Sequence, residues 1–303
     1  MILGENIGSV YSAGKEIQRV YSRGKLVWEK KTNDDIDYSE MPFTVQAVEN
    51  ASISLKDIDS NAIKFNYSLN GGEWKTATTI SIKKNDIISI KANNAAYCKI
   101  TGLSDIYGNI MSLLYGDNYK NQTVWLKELR YESYADGYFL RSDIRNAHNL
   151  ILPATTLAVD CYRNMFRDCT SLTTAPELPA TTLTEGCYCG MFSDCTSLTS
   201  APELPATTVK YRGYYSMFRD CTSLTTAPEL PATTLGGSCY NYMFKGCTSL
   251  NYIKCYVTNN IKYSVTDWTD GISTNGKLVC YEESADIFRN YIPDTWTVEY
   301  ITE

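Results

Sequence analysis

The chain has 303 residues, of which 44% are hydrophobic and 20% are charged, so it has enough apolar side chains to form cores and is not disordered as a whole. Its net charge is −6, and no block of basic residues marks a nucleic-acid surface. No apolar run approaches the roughly 20 residues of a membrane-spanning helix. Because the chain has a single histidine, His148, most acid–base mechanisms and metal sites that use histidine are excluded.

The first thirty residues contain a duplicated segment. The sequence VYSAGK is echoed ten residues later by VYSRGK, and alternating apolar positions around two glycine-centred turns predict short β-hairpins. Because so short a segment cannot bury a core of its own, we expect residues 1–30 to dock on another protein. The candidate attachment residues are Val10, Tyr11, Val20, Tyr21, Val27 and Trp28. The start has no basic region followed by an apolar core, so we expect no secretory signal here.

Residues 31–40 are polar and rich in turn-forming types, which predicts a linker. From 41 to 125 the pattern is that of β-strands, with apolar residues alternating over 43–48 and again over 80–90. Asn70-Gly71 separates two such runs, which is a strong hairpin signal. We therefore expect a small antiparallel β-sandwich over 41–125.

A repeat of 26 residues dominates the region 126–255. The tetrapeptide Leu-Pro-Ala-Thr recurs with this period, and Met-Phe and Cys-Thr-Ser-Leu recur in step with it. A fixed period of this length predicts a solenoid in which each repeat buries its apolar face against its neighbours. We expect short strands near 172–177, 198–203 and 224–229, a helical turn over about 162–168, and reduced cysteines stacked in columns.

After Cys255 the period fails, and residues 256–303 are the predicted C-terminal cap of the last repeat. Here we expect a strand over 277–281, a helix over 283–291 and a final strand over 295–301. The fold class is therefore mostly β with short helical turns: hairpins, a sandwich and a capped solenoid.

The run Met-Phe-x-x-Cys-x-x-Leu-x-x-x-x-x-Leu resembles the BspA-type leucine-rich repeat, which is found in surface proteins of gut bacteria and in their phages. The resemblance covers 152–255, with a degenerate opening repeat around 138–151. The N-terminal hairpins also resemble the attachment segments of phage tail and virion-appendage proteins. These resemblances imply a structural or adhesive role rather than catalysis.

The sequence offers little for enzyme or metal chemistry. A catalytic His148 would need a nucleophile and an orienting acid, and zinc would need more ligands than Cys187, Cys189 and Cys195 provide. The aspartates and glutamates that repeat in columns lack the asymmetry of a glycosidase pair, which leaves solvated columns or modest cation sites. We expect no catalytic residues, no metal and no cofactor.

The candidate ligand-binding residues lie where otherwise near-identical repeats differ, around a fixed tyrosine. Tyrosine and arginine are enriched in recognition surfaces, although neutral drift on an exposed edge explains such variation equally well. The candidates are Arg163, Tyr188, Tyr211, Arg212, Tyr214, Tyr215, Tyr240 and Tyr242. A constant column of threonines, including Thr173 and Thr199, is a rival binding surface.

The leading hypothesis is a non-enzymatic appendage of a phage virion, such as a tail or head fibre. The N-terminal segment would contact other virion proteins, and the solenoid would bind a host glycan or protein. Neither nucleic-acid binding nor membrane insertion is expected, and a trimer is implied by analogy with fibres. The alternatives are a bacterial cell-surface adhesin and, third, an enzyme acting on polysaccharide.

Overall fold

A computed structural model describes residues 36–57, 59–93, 95–125, 138–139 and 141–302, together with the backbone of four strands nearer the N-terminus. The chain is mostly β, with 29% strand and 8% helix. It divides into two compact units, Met1–Asp37 and Tyr38–Glu303.

Within the first unit, the strands that the structure describes pair as two antiparallel hairpins, as predicted. They are formed by β1 (Val10–Ser12) with β2 (Lys15–Ile17), and by β3 (Arg19–Ser22) with β4 (Lys25–Glu29). The six candidate attachment residues lie in β1, β3 and β4, and their side chains are outside the described part of the chain. Their role therefore stays a prediction.

The second unit opens with two mainly antiparallel sheets and one short helix. Their elements are β5 (Phe43–Ala47), β6 (Ala51–Lys56), β7 (Phe65–Leu69), β8 (Trp74–Ala77), β9 (Thr79–Ile82), β10 (Ile87–Lys91), β11 (Tyr97–Thr101), β12 (Ser104–Asn109) and α1 (Ser112–Tyr115). One sheet contains the order β12-β5-β10-β7-β8, and the other is β11-β6-β9. Alternate residues of β6, β10, β11 and β12 are buried; Ile53 and Ile90, for example, are fully buried, as is Val45 in β5. The predicted hairpin between β7 and β8 is confirmed, and Asn70 and Gly71 both have positive φ, as a type I′ turn requires.

The larger sheet continues directly into the repeats. The parallel partners of β12 are β14 (Ile144–Asn146) and β15 (Leu150–Ile151). Single bridges then join Asn146 to Thr174 and Thr174 to Ser200. The strand β12 thus gives the degenerate opening repeat at 138–151 a backbone partner on its N-terminal side.

Four further two-residue strands lie between residues 124 and 235. They are β13 (Val124–Trp125), β16 (Thr156–Leu157), β17 (Thr208–Val209) and β18 (Thr234–Leu235). They pair in parallel, β13 with β16 and β17 with β18. The prediction of strands at 172–177, 198–203 and 224–229 is wrong. In these segments only Thr174, Ser200 and Thr226 pair, and each forms isolated bridges. Prolines close to these bridges supply no amide hydrogen for a longer ladder.

Side chains at equivalent positions of successive repeats stack on one another. The rings of Phe139, Phe166, Phe192, Phe218 and Phe244 lie in one column, with successive centroids 5.3, 5.5, 5.7 and 5.9 Å apart. All five are fully buried, as are the leucines at 172, 198, 224 and 250. Each repeat therefore supplies one layer of a continuous core.

The segment at 158–169 consists of consecutive turns, so the predicted helical turn is wrong. The ten backbone N–H groups of residues 160–169 donate alternately to a carbonyl of the next repeat and to a carbonyl of their own turn. The N–H of Tyr162, for example, donates to Cys187 O in the next repeat, whereas that of Arg163 donates to Asp160 O within its own turn. Positive φ recurs at every fourth residue, at Asp160, Asn164 and Asp168, which is the third position of a type II turn. All ten amides are satisfied without a helix.

The eleven cysteines are all free and buried. In one column, the thiols of Cys169, Cys195 and Cys221 each donate to the carbonyl of a phenylalanine in the preceding repeat, at 3.1 Å. Burial raises the pKa of Cys169 to about 12, which keeps its thiol protonated and able to donate.

The chain after the repeats covers their last layer, and the elements predicted there are confirmed. They are β20 (Lys277–Cys280), α2 (Glu282–Phe288) and β21 (Thr297–Tyr300). A further strand, β19 (Tyr252–Cys255), which the sequence did not predict, pairs in parallel with β20, and β20 pairs in parallel with β21. The indole of Trp268 lies 6.2 Å from the ring of Phe244 and stacks at 5.3 Å on that of Phe288. This tail therefore shields the end of the aromatic column from water.

One repeat departs from the others at two positions that touch. Where its neighbours have leucine and cysteine, the third repeat has Val209 and Gly213. A Cβ added at Gly213 would lie 2.6 Å from Val209 Cγ1, so the branched side chain fills the space that a cysteine would need.

This contact predicts a coupled pair of substitutions. We expect Gly213→Cys alone to lower the free energy of unfolding by about 1–3 kcal/mol through overpacking. The double variant Val209→Leu/Gly213→Cys restores the pair found in the other repeats and should recover most of that loss. Urea denaturation of wild type, both single variants and the double variant measures the coupling. Strictly additive changes would contradict this account of the contact.

Candidate functional site

Most variable positions of the repeats fall on the outer side of the consecutive turns. Along 158–169, the residues at 161, 162, 164, 165, 166 and 169 are buried, whereas those at 159 and 160 and at 163, 167 and 168 have more access to solvent. Apart from position 164, which reads Asn, Gly, Ser and Tyr through the four repeats, the buried positions repeat with little change, so the turns expose most of the positions that vary. We call this outer side the turn face.

On the turn face of the third and fourth repeats, five aromatic and basic side chains form a contiguous group. We call them the Tyr/Arg cluster: Tyr211, Arg212, Tyr215, Tyr242 and Lys245. The guanidinium carbon of Arg212 lies 5.1 Å from the ring centroid of Tyr211 and 5.3 Å from that of Tyr215. The ring of Tyr215 contacts Tyr242 edge-on at 5.4 Å, and Lys245 Nζ lies 5.7 Å from the Tyr242 centroid.

Arg212 is a cation held by rings rather than by carboxylates. It forms no ion pair with a carboxylate in the described part of the chain, and the outer ring, Tyr211, is 45% exposed. Each cation–π contact at such a site is worth about 0.5–1 kcal/mol. The cluster thus presents a charge and flat apolar surfaces together, which suits a ligand with both kinds of group.

Two members of the cluster have an unusual backbone conformation. Arg212 has φ 55° and Tyr242 has φ 59°, in the left-handed region that L-residues other than asparagine and aspartate rarely occupy. Their amides donate to Gly237 O at 3.1 Å and Thr266 O at 2.9 Å in the next layer. The inter-repeat hydrogen bonds therefore hold bulky side chains where glycine or asparagine would fit with less strain.

Three of the sequence-predicted site residues do not belong to this surface. Tyr188, Tyr214 and Tyr240 are at most 1% exposed. Their rings stack at 6.0 and 6.1 Å, and burial raises the pKa of each phenol. They are core residues, so their prediction as ligand-binding residues is wrong.

The remaining candidate, Arg163, lies on the turn face of the first repeat. Its Nη1 donates to Asp160 Oδ1 at 3.1 Å, two repeats away from the Tyr/Arg cluster along the sequence. Lys245, which the sequence analysis missed, does belong to the cluster. The sequence carried a signal for it, because its column reads Arg, Ser, Arg, Lys through the four repeats.

The aspartate column pairs with arginines. Asp168 accepts from Arg141 Nε at 3.2 Å, and Asp220 accepts from Arg219 Nε at 3.1 Å. Arg167 Nε lies 3.8 Å from Asp194 Oδ2. These exposed pairs contribute little to stability, but they fix the directions of the arginine side chains.

Two further grooves lie along the Pro-Glu-Leu-Pro segments, away from the Tyr/Arg cluster in the sequence of each repeat. One, of about 380 Å³, is bordered by His148, Pro153 and Glu177. A second, of about 290 Å³, has Glu203 and Glu229 on a floor of prolines and Leu204. Glu229 already accepts from Lys254 Nζ at 2.8 Å.

Comparison with protein-family models, with curated proteins and with solved structures found no match. Every helix in the described ranges is too short or too polar to cross a membrane. Within the same ranges, no group of three or more His, Cys, Asp or Glu side chains is arranged to hold a metal ion.

Proposed function

We propose that this chain is a non-enzymatic binding protein whose repeats form a leucine-rich-repeat solenoid of the BspA type. Its turn face binds a glycan or protein on the surface of a host cell. The single observation that carries the proposal is the Tyr/Arg cluster, which gathers four of the variable candidate residues into one exposed group of rings and cations.

The backbone strain within the cluster supports recognition over neutral drift. Left-handed conformation costs an ordinary residue roughly 1–2 kcal/mol, and the matching positions of the second repeat are Gly186 and Gly190. Strained residues persist where their side chains serve a purpose. Retaining an arginine and a tyrosine at Arg212 and Tyr242 is thus better explained by a bound partner than by drift.

The location that we propose is a phage virion, with residues 1–30 attached to other virion proteins. Support comes from the repeat motif, from the resemblance of the N-terminal segment to attachment segments and from its separation as a compact unit. The same repeats on a bacterial surface would make the protein an adhesin, with the turn face in the same role.

The location is tested by immunogold electron microscopy with an antibody raised against residues 41–303. We expect label on phage particles in a producing culture, at the head or at the tail. Label confined to cell envelopes would contradict the virion assignment and favour the adhesin.

The role of the cluster is tested by binding of the purified full chain to host cells. We expect Arg212→Asn/Tyr242→Asn to weaken binding at least tenfold, since recognition residues of these types each contribute about 1 kcal/mol or more. Asparagine accepts the left-handed conformation, so the variant should unfold at the same temperature as wild type or higher.

The matched control is Lys254→Gln/Tyr256→Ser. It removes another cation–π pair, in which Lys254 Nζ lies 5.1 Å from the Tyr256 ring centroid, outside the Tyr/Arg cluster. This variant should bind host cells as wild type does. Equal binding by wild type and the Arg212/Tyr242 variant would show that recognition lies elsewhere.

A further inference from the structure

A small groove lies on the turn face where the second repeat carries its smallest residues. Its volume is about 200 Å³. At the position where the first and third repeats have Arg167 and Arg219, the second repeat has Ser193. The groove therefore lies between these two arginines.

Gly190 lines the groove without a side chain of its own. It has φ +62°, and an added Cβ would clash with Asn164 Oδ1. The Asn164 side chain therefore lies against the space that the glycine leaves, and any larger residue at 190 would displace it.

The lining is polar and contains no carboxylate. Its polar side chains are those of Asn164, Arg167, Ser193, Tyr215, Ser216 and Arg219. Three of them lie deep in the surface: Asn164 is 2% exposed, Ser193 4% and Ser216 9%. The carboxylates nearby lie outside the lining but contact it. Asp194 Oδ2 accepts from Ser193 Oγ at 2.8 Å and lies 3.8 Å from Arg167 Nε, and Asp220 Oδ2 lies 3.1 Å from Arg219 Nε.

This lining favours negatively charged oxygen atoms. Guanidinium groups only donate hydrogen bonds, and they pair with carboxylate or sulfate oxygens more strongly than with neutral acceptors. The Tyr215 ring adds a flat apolar wall, against which the C–H face of a sugar ring can pack. Arg212, whose guanidinium carbon lies 5.3 Å from the centroid of that ring, adds positive charge close to the groove.

We propose that this groove binds one sugar residue that carries a carboxylate or a sulfate group. The volume is below the roughly 300–1,000 Å³ of sites for drug-sized ligands, so it suits a single ring within a longer glycan. The inference rests on the proposed function, in that the sugar would belong to the host surface, and it names the ligand class of the turn face.

The test uses the full chain labelled with ¹⁵N and a panel of acidic sugars with their neutral parents. Glucuronate, galacturonate and N-acetylneuraminate test the carboxylate, and glucose 6-sulfate and galactose 6-sulfate test the sulfate. We expect at least one acidic sugar to shift the amide resonances of Gly190 and Ser193 at a concentration at which glucose and galactose do not. Equal shifts with the neutral parents, or no shift with any acidic sugar, would overturn the inference.

Two variants separate a shaped site from general attraction to a basic surface. Ser193→Arg inserts the residue that the neighbouring repeats already carry, fills the groove and adds a positive charge. We expect it to weaken binding of the acidic sugar at least tenfold, whereas attraction by charge alone would make binding tighter. Arg219→Gln should also weaken it about tenfold, as loss of a charge-assisted hydrogen bond does.

The matched control is Arg141→Gln, which removes an arginine paired with the same aspartate column but outside the groove. It should leave sugar binding unchanged. Host-cell binding by wild type without binding of any acidic sugar would overturn the groove inference alone. Sugar binding without host-cell binding would uphold the groove and contradict the proposed function.

Discussion

The repeats depend on one constraint, which is that every backbone amide of the turn segment must be bonded although the segment forms neither helix nor extended strand. The chain meets it by alternation. From Asp160 to Cys169, one amide donates within its own turn and the next donates to the following repeat. Because half of the hydrogen bonds cross between repeats, neighbouring turns are held in register by backbone alone. No particular outward side chain is needed for that register.

This division explains why the repeats are constant inside and variable outside. Stacked rings and buried thiols must match from layer to layer, since a change such as Gly213 needs a compensating change such as Val209. The outward residues meet no such condition and are free to differ. The two ends of the stack are covered differently: β12 pairs with the degenerate opening repeat, and Trp268 with α2 covers the last repeat. Recognition on the turn face therefore stands on a scaffold that its own side chains do not have to stabilise.

The sequence predicted the elements whose signals are local or periodic. The hairpin at Asn70-Gly71, the elements after Cys255 and the apolar columns follow from turn chemistry and spacing. The turn segment was harder, because inward residues such as Tyr162 and Phe166 are four apart, as on a helix. Asp160, Asn164 and Asp168 marked the left-handed positions, but Arg212 and Tyr242 interrupt that signal in later repeats. Tyr188, Tyr214 and Tyr240 are predicted at the surface because tyrosine is common at interfaces. Their conservation from repeat to repeat is instead the mark of a packed position.

The most direct test of this account is amide hydrogen exchange of the native protein, followed residue by residue by NMR. If inter-repeat hydrogen bonds hold the turn face rigid, the amides of 160–169 and of the matching segments in later repeats will exchange as slowly as those of the buried strand β10. Both classes of amide, those bonded within a turn and those bonded to the next repeat, should be protected. Exchange of these segments at the rates of exposed loops, with β10 still protected, would contradict the account.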